Sequence, residues 1–127
     1  MRVSHLDHLV LTVKDVEASV AFYTRVLGMA ETTFANGRKA LVFGPTKINL
    51  HQAGNELEPG AAEPTPGSSD LCLIVDADLE GLLAHLSFAG VEVEAGPVKQ
   101  AGAVGEMLSV YIRDPDQNLI ELANDLS

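Results

Sequence analysis

Residues 7–29, DHLVLTVKDVEASVAFYTRVLGM, and residues 69–91, SDLCLIVDADLEGLLAHLSFAGV, carry one pattern twice. Each opens with a short run that alternates as a half-buried strand does, then changes to the spacing of an amphipathic helix. A displacement of 63 positions lays Asp15 on Asp78, Glu17 on Glu80 and Ala21 on Ala84, while Val16, Val20 and Tyr23 fall on Leu79, Leu83 and Leu86. Asp15 and Asp78 are placed to cap the helix N-termini, and Gly28 and Gly90 follow the last turns, where a left-handed residue ends a helix at little cost. Both copies therefore read as strand, capped helix, glycine stop.

Further strand-like pieces follow each helix: MAETTFA, RKALVFG and KINLHQ in the first copy, VEVEAG, MLSVYIR and NLIELA in the second. GPT and DPDQ, between the last two pieces of each set, have hairpin chemistry. The pattern predicts a duplicated α+β domain of two tandem βαβββ modules, 1–52 and 70–127. Residues 53–69, AGNELEPGAAEPTPGSS, hold three of the six prolines and no apolar periodicity, and read as the linker. The main asymmetry is GPVKQAGAVGE, residues 96–106, which reads as a surface loop or a mobile lid.

The 127 residues suffice for one compact domain with its own core. Eight Lys and Arg against eighteen Asp and Glu give a net charge of -10, which repels phosphate backbones and argues against nucleic acid as a partner. No apolar run reaches the roughly 20 residues of a membrane span, and the N-terminus lacks the continuous apolar core of a secretory signal. With Cys72 as the single cysteine, neither an internal disulfide nor a cysteine-based zinc site is available, and a cytoplasmic location is expected.

Side chains two apart on a strand share a face. His8, Val10 and Thr12 then lie together, as do Asp70, Cys72 and Ile74 in the matching strand. Lys47, Asn49 and His51 share a face near the end of the first module, and Leu119 and Glu121 near the end of the second. On this reading His8 matches Asp70 and His51 matches Glu121, so four groups able to bind a metal occupy the same two places in each copy. An ionised carboxylate inside an apolar strand, as Glu121 is, needs a compensating partner, and a divalent ion is the partner this pattern suggests. The mixed nitrogen and oxygen set of His8, His51, Asp70 and Glu121 suits zinc, nickel, cobalt, manganese or ferrous iron. If Asp70 stands off the ion it is free to act as a base. His5 and His85 fall outside the pattern and read as solvated, and Cys72 reads as a small buried thiol.

The words HLVLTV, FYTRVLGM and DPDQNLIEL resemble those of the vicinal oxygen chelate superfamily, which includes glyoxalase I, fosfomycin-resistance enzymes, extradiol dioxygenases and bleomycin-resistance proteins. RKALVFG, KINLH, PGSSDLCLI and RDPDQNLIEL are similar to glyoxalase domain-containing protein 5 and its bacterial relatives. The resemblance implies a curved mixed sheet around a metal-binding cavity, with ligands from the first and fourth strands of each module, which are His8, His51, Asp70 and Glu121 here. It also implies a homodimer and a small-molecule substrate with vicinal oxygens, converted through a metal-stabilised enediolate with Glu121 or Asp70 moving the proton. The alternatives are a metal-independent binding protein of the bleomycin-resistance type and a ferrous-iron ring-cleaving dioxygenase. The sequence departs from glyoxalase I, which has Glu where His51 stands and commonly His where Asp70 stands. Arg38, Lys39, Lys47, Lys99 and Arg113 read as surface charges rather than as a glutathione pocket.

Overall fold

A computed structural model describes all residues, Met1–Ser127. Its contacts divide the chain into two units, Met1–Gly67 and Ser68–Ser127. The first unit runs β1 (His8–Val13), α1 (Val16–Arg25), β2 (Ala30–Phe34), a 3-10 turn, β3 (Arg38–Phe43) and β4 (Thr46–Gln52). The second runs β5 (Asp70–Ile74), α2 (Leu79–Phe88), β6 (Ala95–Ala101), β7 (Glu106–Arg113) and β8 (Leu119–Asp125). Each unit is thus a βαβββ module, and the protein is α+β with two four-stranded mixed sheets.

The sheets have matching orders, β1-β4-β3-β2 and β5-β8-β7-β6. In each, the first strand lies parallel to the last and the remaining pairs are antiparallel. Such parallel pairing needs a crossover, which the helix of each unit supplies.

Local chemistry starts and stops those helices where the sequence predicts. Asp15 accepts hydrogen bonds from the Glu17 and Ala18 amides, and Asp78 from the Gly81 amide. Gly28 and Gly90 take φ of 68° and 73°, a region that costs other residues a steric penalty. In the first unit Leu11, Val13, Val20, Tyr23, Leu41, Ile48 and Leu50 are buried. The core of the second comprises Leu82, Leu86, Val110, Ile112, Ile120 and Leu122. The opposite faces carry His8, Lys47, Asn49 and His51 in the first sheet and Asp70, Tyr111 and Glu121 in the second, with the exposed Val10, Val42 and Ile74 among them.

One boundary differs from the sequence reading. Residues 91–94 are outside any strand, and β6 instead occupies Ala95–Ala101, inside the stretch read as a loop or lid. Pro97 lacks an N–H, which favours an edge strand or a bulge. β6 is an edge strand, and its register with β7 shifts between Ala95 and Val98, so the proline sits at an irregularity. At Gly96 an added Cβ would meet the Ser109 carbonyl oxygen at 2.5 Å, which requires glycine for this close pairing.

Candidate functional site

In the second unit β8 carries Glu121 on the polar face, opposite Cys72 of β5 and Tyr111 of β7. Ser109, fully buried and two residues before Tyr111, donates its hydroxyl to Glu121 Oε2 at 2.5 Å. Such short bonds to a carboxylate are roughly twice as strong as neutral ones. The carboxylate in the apolar strand therefore has a built-in donor, which the sequence reading missed. The available signal was MLSVYIR, where Ser109 and Tyr111 alternate with the core residues Val110 and Ile112.

The groups around Glu121 carry its electrostatic mark. The Tyr111 phenol is held above its ordinary range, first by burial and then by the Glu121 charge, while its oxygen accepts a hydrogen bond from Gln100 at 2.8 Å. Cys72 is exposed rather than buried. Its thiol is nevertheless pushed up to about 11, first by loss of hydration and then by the carboxylates of Glu121 and Asp70. Asp70 begins β5 opposite Leu119, so it lies diagonally across from Glu121. A buried turn fixes this end of the sheet. Asp114 Oδ1 accepts from the amides of Asp116 and Asn118, Asp114 Oδ2 accepts from Asn118 Nδ2, and Asn118 Oδ1 accepts from the Ser69 amide next to Asp70.

In the first unit His8 is exposed, and its Nδ1 is 2.8 Å from Asp7 Oδ2. Bonding to His8 holds the Asp7 carboxyl below its usual range, with smaller help from the charges of His8, Lys47 and His5. With Nδ1 as the donor, the lone pair of Nε2 is left for a ligand, an arrangement common around metal-binding imidazoles.

The strand register revises the match between the two copies. His8 stands opposite Lys47 and Val10 opposite Asn49, just as Asp70 stands opposite Leu119 and Cys72 opposite Glu121. Asn49, and not His51, therefore occupies the place of Glu121. The helix entries agree. Gln52 donates to the Lys14 carbonyl, just before the cap Asp15, and Asn124 donates to the Ala77 carbonyl, just before the cap Asp78. Counting three residues back gives Asn49 in one copy and Glu121 in the other. The Oδ1 of Asn49 is buried with no hydrogen-bond partner. His51 stands opposite Thr12, four residues along from His8, which is about 13 Å at the usual strand rise. The first sheet thus carries His8 and His51 on one face but apart, whereas the second keeps Asp70 and Glu121 diagonal neighbours. Neither unit by itself gathers three or more His, Cys, Asp or Glu side chains into a group that could hold a metal. His5 meets Ser4 at the exposed N-terminus and lies outside the site.

Comparison with known proteins adds a family to this geometry. The family model described as Glyoxalase/Bleomycin resistance protein/Dioxygenase superfamily matches residues 5–122. The chain is 50% identical over 123 residues to virulence protein STM3117 of Salmonella typhimurium, an alignment covering 97% of this chain and 85% of the relative. The crystal structure of that protein superposes with a TM-score of 0.97, over 99% of this chain and 100% of the other. Glyoxalase domain-containing protein RDO1 of Mycosarcoma maydis is 52% identical over 124 residues, covering 98% of this chain and 70% of the relative. More distant structures share the fold: a lactoylglutathione lyase from Agrobacterium tumefaciens at 21% identity and TM-score 0.74, and the manganese-bound fosfomycin resistance protein FosX from Listeria monocytogenes at 21% and 0.67. The former covers 98% of this chain and 96% of its own length, the latter 98% and 94%.

Proposed function

Because the chain belongs to the Glyoxalase/Bleomycin resistance protein/Dioxygenase superfamily, we propose that it is a divalent-metal-dependent lyase or isomerase of the glyoxalase type. Its substrate is a small molecule with two adjacent oxygens. The observation that carries this reading is Glu121, a carboxylate on a sheet face with one oxygen held by Ser109 and the acid Asp70 diagonally across. His8, Asp70 and Glu121 would hold the ion, drawn from zinc, nickel, cobalt, manganese and ferrous iron. The fit rests on donor chemistry: Asp7 orients the His8 ring so that Nε2 is available, and Ser109 occupies only one oxygen of Glu121. His51, the fourth candidate ligand, lies four residues along from His8, so its replacement is the mildest of the four.

When bound, a divalent ion would supply Lewis acidity to the substrate. Glu121 or Asp70 takes the proton from one of the two adjacent oxygen-bearing carbons and returns it to the other. Ser109 keeps the Glu121 carboxylate aimed. The protein works in the cytoplasm as a homodimer, a reading supported by its free cysteine and by apolar side chains left exposed on the sheets, among them Val10, Val42 and Ile74. Enolisation is checked by solvent deuterium exchange into a 2-oxoaldehyde thiol adduct with metal-loaded protein. Exchange abolished in Glu121→Gln supports the reading, and exchange at the wild-type rate contradicts it.

A binding protein without catalytic metal is the second reading, favoured by the fact that neither unit alone gathers three metal-ligating groups. It expects unchanged small-molecule affinity after chelation, whereas the lyase loses activity. Aerobic turnover dependent on ferrous iron alone would instead indicate a ring-cleaving dioxygenase.

A further inference from the structure

Of the five cations the sequence singles out, three are paired with acids. Lys39 meets Glu31 at 2.8 Å, Lys99 meets Glu106 at 3.6 Å and Arg113 meets Glu94 at 2.9 Å. Arg38 and Lys47 make no ion pair in a chain of net charge -10. Both lie instead over one aromatic ring. The Arg38 guanidinium carbon is 5.0 Å and Lys47 Nζ 4.4 Å from the centroid of Phe34. The ring attracts cations through its quadrupole but leaves their charge unneutralised. Arg38 is further held by its Nε–H, which donates to the Ala35 carbonyl at 3.1 Å, an anchor that sets the guanidinium plane.

The register puts this group on the face that carries His8. Phe34 stands opposite Arg38, Val42 opposite Lys47, and Lys47 opposite His8. Ala40, between Arg38 and Val42 on that face, is fully buried. Two like charges held near one ring repel each other, an anion shared between them would relieve that repulsion, and none of the chain's eighteen acids is ion-paired with either. Asp7 feels the Lys47 charge, but its hydrogen bond goes to His8.

We propose that Phe34, Arg38 and Lys47 recognise an oxyanion, a carboxylate or phosphate group, on the substrate, so that the substrate class is a small anionic molecule. This rests on the metal-dependent reading for what the remainder of the substrate does, but not for the binding of the anion. The planar guanidinium engages two oxygens and the ammonium a third direction, as these groups do on carboxylates and phosphates.

The test titrates inorganic phosphate, and separately acetate, into the chelator-treated full chain at constant ionic strength and about pH 8, where imidazoles are ordinarily neutral. Amide NMR shifts report the site. Expected are saturable shifts along β2, β3 and β4, weakened at least about tenfold in Arg38→Gln/Lys47→Gln and unchanged in Lys99→Gln. Phe34→Leu, which keeps an apolar side chain but frees the two cations, weakens binding by a smaller factor and serves if the double variant does not fold. A stronger response to phosphate or to acetate names the oxyanion. Equal affinity in the wild type and the variants, shifts confined to other strands, or no saturable shift with either anion would overturn the proposal. Metal content of the wild type and the same variants as purified, before chelation, separates the two readings: retained metal with unchanged anion affinity sinks only the oxyanion site, and a wild type purified without metal but with intact anion binding sinks only the metal.

Discussion

Glu121 shows how a single residue's neighbourhood decides its role. Its oxygen accepts from the buried Ser109 hydroxyl, so Ser109→Ala leaves a half-buried carboxylate short of a donor. Chelator-treated Ser109→Ala is expected to lose about 1–3 kcal/mol of stability in urea unfolding, and an unchanged midpoint would contradict the assigned bond. Cys72 reports the same charge from across the strand pair. Loss of hydration and the carboxylates of Glu121 and Asp70 push its thiol up to about 11. In chelator-treated protein its alkylation by iodoacetamide therefore stays slow at neutral pH and accelerates toward that value. Glu121→Gln removes the second-largest cause and shifts the rate profile to lower pH, with Asp70→Asn shifting it less. A profile unmoved by Glu121→Gln would mean the two side chains do not face each other. The sequence placed Asp70, Cys72 and Glu121 on matching faces by alternation alone. It could not show that Ser109 closes on Glu121, because cross-strand pairing depends on register.

Among the elements, helix starts were the most legible in the sequence, since Asp15 and Asp78 act within three residues of themselves. Asp15→Ala and Asp78→Ala are each expected to cost about 0.5–2 kcal/mol in thermal or urea unfolding. Pairings that span the chain were less legible. The match of His51 with Glu121 slipped by two residues because alternation fixes the face of a strand and not its position along the partner. The sequence does not mark β6, because Gly96 and Pro97 are ordinarily loop residues and here lie at an edge-strand irregularity. The turn after β7 has a stricter design than a surface hairpin, with Asp114 and Asn118 almost fully buried. Asp114→Ala removes three acceptor contacts and is expected to cost about 2–4 kcal/mol, and less than about 1 kcal/mol would mean the turn is held elsewhere. The Glu94–Arg113 pair gives a pH signature. Arg113 holds the Glu94 carboxyl below its ordinary 4.5, so its stabilisation is present above that value and is lost as pH falls through the lowered one. Glu94→Gln should remove that acid-side slope, and an identical pH–stability curve would exclude the linkage.

For the whole molecule, the fold class follows from the repeat, and the two sheets share one strand order. No helix is long and apolar enough to cross a membrane. The charge of -10 disfavours polyanionic partners in general, yet Arg38 and Lys47 leave one small patch suited to an anion. That local exception is invisible in composition, since it depends on which cations find an acid. The proposed homodimer predicts a sedimentation mass twice that of the chain, and a monomer at micromolar concentration would exclude it. Metal analysis of the protein purified without an affinity tag is expected to find a stoichiometric divalent ion in the wild type, lost from His8→Ala, Asp70→Ala and Glu121→Ala and least affected in His51→Ala. Metal-free wild-type protein that does not bind an added divalent ion, or full occupancy in Asp70→Ala and Glu121→Ala, would contradict it.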